Sequence, residues 1–123
     1  MTLQDPETIR ELFSAFGPVS VRRMFSGAGI FADGVMFGLV IRGEIFLKVD
    51  DETRPAFEAE RSKPFVYQRA KGRAVSLSYW RLPDRLLDDA DDLARFARAA
   101  LAAAQRAAMK KSRKRSGGKK RGA

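Results

Sequence analysis

The 123-residue chain contains no cysteine and no histidine. Without cysteine there are no disulfides, zinc–thiolate sites, iron–sulfur clusters or thiol nucleophiles, and the redox compartment stays open. Without histidine the chain lacks the one side chain that titrates unperturbed near neutrality and the commonest metal ligand. Most hydrolases and metalloenzymes thereby become poor candidates, and no catalytic residue, metal or cofactor is expected. Long apolar runs are missing too. The longest, Val35 to Ile41, has the length of a strand and falls far short of a membrane span. The start, Met-Thr-Leu-Gln-Asp-Pro, has neither the basic residues nor the apolar stretch of a secretory signal, so the expected location is cytoplasmic. The abundance of Arg and Ala suits a GC-rich bacterial genome.

What is present is a globular composition, 45% hydrophobic and 32% charged, in a length that suits one domain. The net charge of +9 is unevenly placed. Eight of the 24 basic residues (Lys110, Lys111, Arg113, Lys114, Arg115, Lys119, Lys120 and Arg121) lie beyond Met109 with no acid among them. The remaining 16 face 15 acidic residues, a net charge of +1 for residues 1–109. The chain therefore divides into a nearly neutral folded domain, 1–109, and a basic tail, 110–123. The tail has no hydrophobic residue large enough to offset chain entropy, and its composition predicts disorder when unbound.

Along the domain, Asp5-Pro6 reads as an N-cap and first helical residue, and Ile9, Leu12, Phe13 and Phe16 recur at helical spacing before Gly17-Pro18. Val19–Met24 and Ala28–Ala32 alternate as strands. Asp33-Gly34 is a two-residue hairpin signal, because a type I′ turn needs positive φ at both central positions. Val35–Ile41 is apolar on both faces and reads as a central strand, paired across Arg42-Gly43 with Glu44–Val49. Asp50 or Asp51 caps a short helix through Phe57. Phe65–Tyr67 and Ala74–Tyr79 form a second hairpin about Lys71-Gly72. A helical turn near Asp84 leads into a long helix capped by Asp88 or Asp89, with Leu93, Phe96, Ala97, Ala100, Leu101 and Ala104 as its apolar stripe. The order α-β-β-β-β-α-β-β-α predicts an α+β fold, an antiparallel sheet of five to six strands with helices packed on one face.

The stretch from Arg22 to Phe37 (RRMFSGAGIFADGVMF) and the stretch from Val75 to Pro83 (VSLSYWRLP) resemble the N-terminal domain of the TfoX/Sxy family. So do Leu47-Lys48-Val49-Asp50, Thr53 to Phe57, and Pro64-Phe65, in order and at compatible spacing over about residues 5–105. The resemblance implies a fold similar to secretion chaperones and a link to regulators of natural competence that assist transcription of DNA-uptake genes. Those regulators carry a second, C-terminal domain where this chain has its basic tail.

Several constellations have both a chemical and a purely structural reading. Arg22-Arg23 beside Phe25 and Gly27-Ala28-Gly29 would suit an anion, but the glycines lack the remainder of a dinucleotide fingerprint or P-loop, and a strand end with a glycine turn is the simpler account. Ser76 and Ser78 near Lys71 and Arg73 lack the elbow or spacing of a serine nucleophile. Asp88, Asp89, Asp91 and Asp92 read as a charged helix cap in preference to a cation site. Tyr79-Trp80-Arg81 suits either a partner or base-stacking surface or a strand end under the last helix. The tail is the clearest signal. Its charge density favours nonspecific DNA or RNA contact, with anionic membrane and a merely solvated tail as rivals. The domain is expected to bind an unidentified protein partner or a second copy of itself as a non-enzymatic regulatory accessory protein. The alternative is a small-ligand or chaperone-like protein-binding module with no nucleic-acid role.

Overall fold

A computed structural model describes residues 5–24, 27–69 and 72–121, with the side chains of 67–69, 73–77 and 113–121 outside that description. The element order is α1 (Pro6–Leu12), β1 (Ser20–Met24), β2 (Gly27–Ala32), β3 (Val35–Ile41), β4 (Glu44–Lys48), α2 (Arg54–Ala59), β5 (Pro64–Arg69), β6 (Gly72–Arg81), a 3-10 turn (Asp84–Asp88) and α3 (Ala90–Arg121). The six strands form one sheet in the order β1-β2-β3-β4-β6-β5, and every neighbouring pair is antiparallel. The expected α+β architecture is the one observed.

The tight turns obey their backbone chemistry. Asp33 and Gly34 have φ of 51° and 76°, and Arg42 and Gly43 have 54° and 78°, the doubly positive pair that joins twisted strands without splaying them. The β5–β6 hairpin turn includes Lys71, which lies outside the described residues. Between β2 and β3 the register shifts at Ile30/Phe31, so that Ile30 pairs with Gly38 while Phe31 pairs with Met36. Phe37 is the extra residue, and the bulge lets both Phe37 and Val40 enter the core although they lie an odd number of residues apart.

The core lies between one face of the sheet and the helices. Ile9 and Phe13 from α1 and its end, Phe57 from α2, Leu86 from the 3-10 turn and Leu93 from α3 are all 0% exposed, and they meet Ile30, Val40, Leu47 and Trp80 from the strands. Phe13 packs edge-on against Phe37, with ring centroids 5.8 Å apart, and Phe57 does so against Phe96 at 5.3 Å. Helix α3 reaches the sheet closely because Ala97, Ala100 and Ala104 form its buried ridge.

The apolar pattern stops near Met109, and burial stops where the pattern does: Ala104 is 4% exposed, while every residue from Ala107 to Ser112 is exposed. The backbone does not stop there. Helix α3 continues past Met109, through the residues expected as a tail, to Arg121. Its packed first turns supply the nucleus, and each further residue then needs only propagation, for which Lys and Arg are good formers.

Candidate nucleic-acid interface and partner surface

Helix α3 begins where Asp89 accepts a hydrogen bond from the Asp92 amide at 3.1 Å, so Asp89 is the side chain that caps it. The acidic cluster around it is engaged by arginines. Arg85 reaches Glu60 at 2.6 Å and Asp92 at 2.7 Å, and Arg95 also holds Asp92. These hydrogen bonds, Arg85 first, hold the Glu60 and Asp92 carboxyls below their usual range and raise the Arg85 guanidinium. Asp89 thus caps α3, and Arg85 ties Asp92 to Glu60 at the end of α2.

Five turns later α3 is fastened once more. Asp50, just after β4, accepts two bonds from Arg106, at 2.7 Å and 3.2 Å, and Glu52 lies 3.1 Å from the same guanidinium. Asp50 is pre-set for this contact. Its carboxylate also accepts the amides of Glu52 and Thr53, at 3.1 Å and 3.2 Å, while the Asp50 amide donates to the Thr53 hydroxyl at 3.0 Å, a reciprocal cap on the turn entering α2. The Arg106 hydrogen bond is the main cause that holds the Asp50 carboxyl below its ordinary range.

Beyond Arg106 the helix leaves the domain. Lys110 and Lys111 are exposed, and Arg113, Lys114, Arg115, Lys119, Lys120 and Arg121 follow on helical backbone, their side chains outside the described residues. Where α3 departs, a cleft of about 630 Å³ is lined by Lys48, Val49, Ser78, Ala103, Met109 and Lys110, together with the Asp50–Arg106 pair. Lys48 is half-buried at its rim. Burial is the leading cause that lowers the pKa of its ammonium; Asp50 opposes the shift and Lys111 adds to it.

The second surface is the face of the sheet opposite the helices. Register places Arg22, Gly29, Leu39, Phe46 and Arg81 in one row across five strands. Phe46 on this side is buried, its ring 4.9 Å from that of Phe65. Arg22 lies over the Phe31 ring at 5.1 Å, and Lys48 over the Tyr79 ring at 5.0 Å. A Cβ built on Gly29 would fall 2.7 Å from the sulfurs of both Met24 and Met36, so two methionines fold over a position where the sheet has no side chain.

Alternation along the strands separates residues adjacent in sequence. Arg22 pairs opposite Gly29 on the open face, whereas Arg23 pairs opposite the core residue Ala28 at the sheet edge, so the two do not form one anion fork. Tyr79 and Arg81 share the open face; Trp80 between them is 8% exposed and belongs to the core. Arg81 is held by Glu44 at 2.9 Å and Asp84 at 3.2 Å. Gly27 and Gly29 lie within β2, paired on both sides, rather than in a loop. Phe25, Lys71 and the side chains of Arg73 and Ser76 lie outside the described residues. Sequence reasoning missed Asp50, Arg106, Met24 and Met36 as site residues.

The model of the TfoX N-terminal domain matches residues 11–104. The chain belongs to this family. The TfoX domain match closes at Ala104, the last α3 residue in the core, so the Arg106 clasp and the cationic extension lie past it. No curated protein matches the chain. Among the described residues, no helix of this TfoX domain is long and apolar enough to cross a membrane.

Proposed function

We propose that this protein is a non-enzymatic regulatory accessory protein of the TfoX type, in which the folded domain binds a protein partner and the end of α3 adds nonspecific nucleic-acid affinity. The observation that carries the reading is the change of character of α3 at Arg106: alanine ridge in the core before it, and after it a helix that is exposed from Ala107 to Ser112 and whose charges are all cationic. A rod of twelve residues from Lys110 to Arg121, about 18 Å long, presents eight cations, a spacing that suits the phosphates along a duplex. No aromatic interleaves these charges, so the contact is with the backbone and independent of base sequence. The absence of histidine and cysteine supports a role without chemistry. Membership in a family named for competence regulators supports the regulatory setting, in the cytoplasm where nucleic acid is available.

The test is binding of duplex DNA and RNA of scrambled sequence by the full chain and by residues 1–109 over a salt series. Full engagement gives a slope in log affinity against log salt of at most about −7. Equal retention by the two forms would overturn the nucleic-acid part.

One observation favours a second reading. The 630 Å³ cleft beside Lys48 has apolar walls at Val49, Ala103 and Met109 and charges of both signs around them, which would suit a small ligand in a module that never touches nucleic acid. That reading predicts a ligand-dependent rise in melting temperature of the full chain, whose Lys110 lines the cleft.

A further inference from the structure

The open face of the sheet carries features that the core does not use, and Lys48 joins it to the cleft beside α3. Its centre is apolar: Leu39 and Phe46 lie next to each other across β3 and β4, flanked by Met36 and by Phe65. An antiparallel sheet commonly leaves one face to solvent and makes it polar, so an apolar centre on that face marks an interaction site. Above Gly29 the cover is provisional, since the sulfurs of Met24 and Met36 occupy the space that a side chain there would fill. Methionine has three rotatable bonds and a polarisable sulfur, and it re-packs readily around an incoming apolar group. The rim is cationic. Arg22 and Lys48 rest on the rings of Phe31 and Tyr79, and among the described residues neither has a carboxylate within ion-pair distance. By contrast Glu44, the carboxylate on the same face, is already held by Arg81.

We propose that the open face of the sheet is a docking surface for an acidic, amphipathic segment of a partner protein, whose apolar side chains displace Met24 and Met36 over Gly29 while its carboxylates meet Arg22 and Lys48. Charge selects this occupant. A second copy set face to face would bring the Arg22 and Lys48 rims of both copies together, cation against cation. The chain's own basic extension is repelled in the same way. Apolar contact supplies the area and the rim supplies orientation and the choice of sign. The proposal rests on the partner-binding part of the function above and names the surface and the chemistry of the partner.

The four methionines make the test direct, because they report on different places: Met24 and Met36 on the open face, Met109 on the exposed part of α3, and Met1 at the start of the chain. The full chain carrying 13C-labelled methionine methyls is titrated with two synthetic helical peptides of identical leucine pattern, one with glutamate at every polar position and one with lysine. The glutamate peptide is expected to shift the Met24 and Met36 methyls saturably, and about tenfold more tightly than the lysine peptide. Arg22→Glu together with Lys48→Gln should abolish that preference. Arg22 is exposed on an edge strand, so Arg22→Glu alone serves as the second variant and should remove most of it.

Equal response to both peptides overturns the charge argument, and a glutamate peptide that moves Met109 alone has bound the basic extension and overturns the site. Movement of Met24 and Met36 with protein concentration alone, without peptide, identifies a second copy as the occupant and overturns the partner. The first two results leave partner binding elsewhere on the domain standing. The third gives the face to a second copy and likewise leaves partner binding elsewhere standing, so failure of the docking surface is distinguishable from failure of the function.

Discussion

Helix α3 is one element with two regimes, and the contrast between them is instructive. From Ala90 to Arg106 it is held by burial of Leu93, Phe96 and the alanine ridge, capped by Asp89 and clasped by Asp50. From Ala107 to Ser112 it is exposed, and from Ala107 onward it carries one sign of charge. Same backbone, different causes: tertiary packing in the first part, local propagation in the second. Stability should therefore be decided wholly in the first regime and nucleic-acid affinity wholly in the second.

The most severe way to probe the packed regime is Phe37→Ala. Phe37 is 0% exposed, touches the Phe13 and Phe16 rings and occupies the bulge that shapes the core face. Loss of about 3–5 kcal/mol is expected in denaturant unfolding. If nucleic-acid affinity fell in proportion in conditions where the variant remains folded, the two regimes would not be separable.

Deleting residues 110–123 addresses the other regime. Affinity for duplex DNA at low salt should fall about a hundredfold or more and the salt slope should collapse toward zero. The urea midpoint should stay where it was, since burial ends at Ala104. A shifted midpoint would mean that the extension contributes to the fold.

The hinge between the regimes is the Asp50–Arg106 pair. Both side chains are partly exposed, 27% and 39%, so solvent screening limits the pair, and Arg106→Ala should cost about 1 kcal/mol. A double-mutant cycle with Asp50→Asn measures the coupling. The pH dependence has a fixed sign. Asp50, Glu60 and Asp92 are all depressed by arginine hydrogen bonds, so their contribution is complete above the unfolded carboxylate pKa, about 4, and is lost as pH falls through the lower folded values. Urea midpoints measured from neutral pH downward should fall in that window, and less steeply in Arg106→Ala.

Local chemistry made much of this legible in the sequence. The Asp33-Gly34 and Arg42-Gly43 turns, the Asp89 cap and the alanine stripe of α3 each follow from backbone or periodicity rules that need only neighbouring residues. Alternation also splits Arg22 from Arg23 and Trp80 from Tyr79, though adjacency in the chain invites grouping them. What resisted reading was non-local. Nothing in β6 says that it inserts between β4 and β5, and Asp50 and Arg106 are 56 residues apart. The bulge at Phe37 changes which of the β3 residues face outward, so the Met24–Gly29–Met36 arrangement becomes visible only once the register is known.

The smallest effect separates the regimes most finely. On helical backbone Lys110 stands four residues from Lys114, and Lys111 four from Arg115, so each pair opposes the helix by about 0.2–0.5 kcal/mol. Gly117 and Gly118 add about 1 kcal/mol each relative to alanine. No burial offsets these terms at Lys110 to Ser112, so the helicity of the extension should respond to counterions while that of the packed regime should not. The helical circular dichroism of the full chain minus that of 1–109 isolates the extension. This difference should grow with added salt or short duplex DNA and grow further in Gly117→Ala/Gly118→Ala. A difference signal indifferent to all three would mean that the extension is held by contacts to the domain, and the comparison between the two halves of α3 would fail.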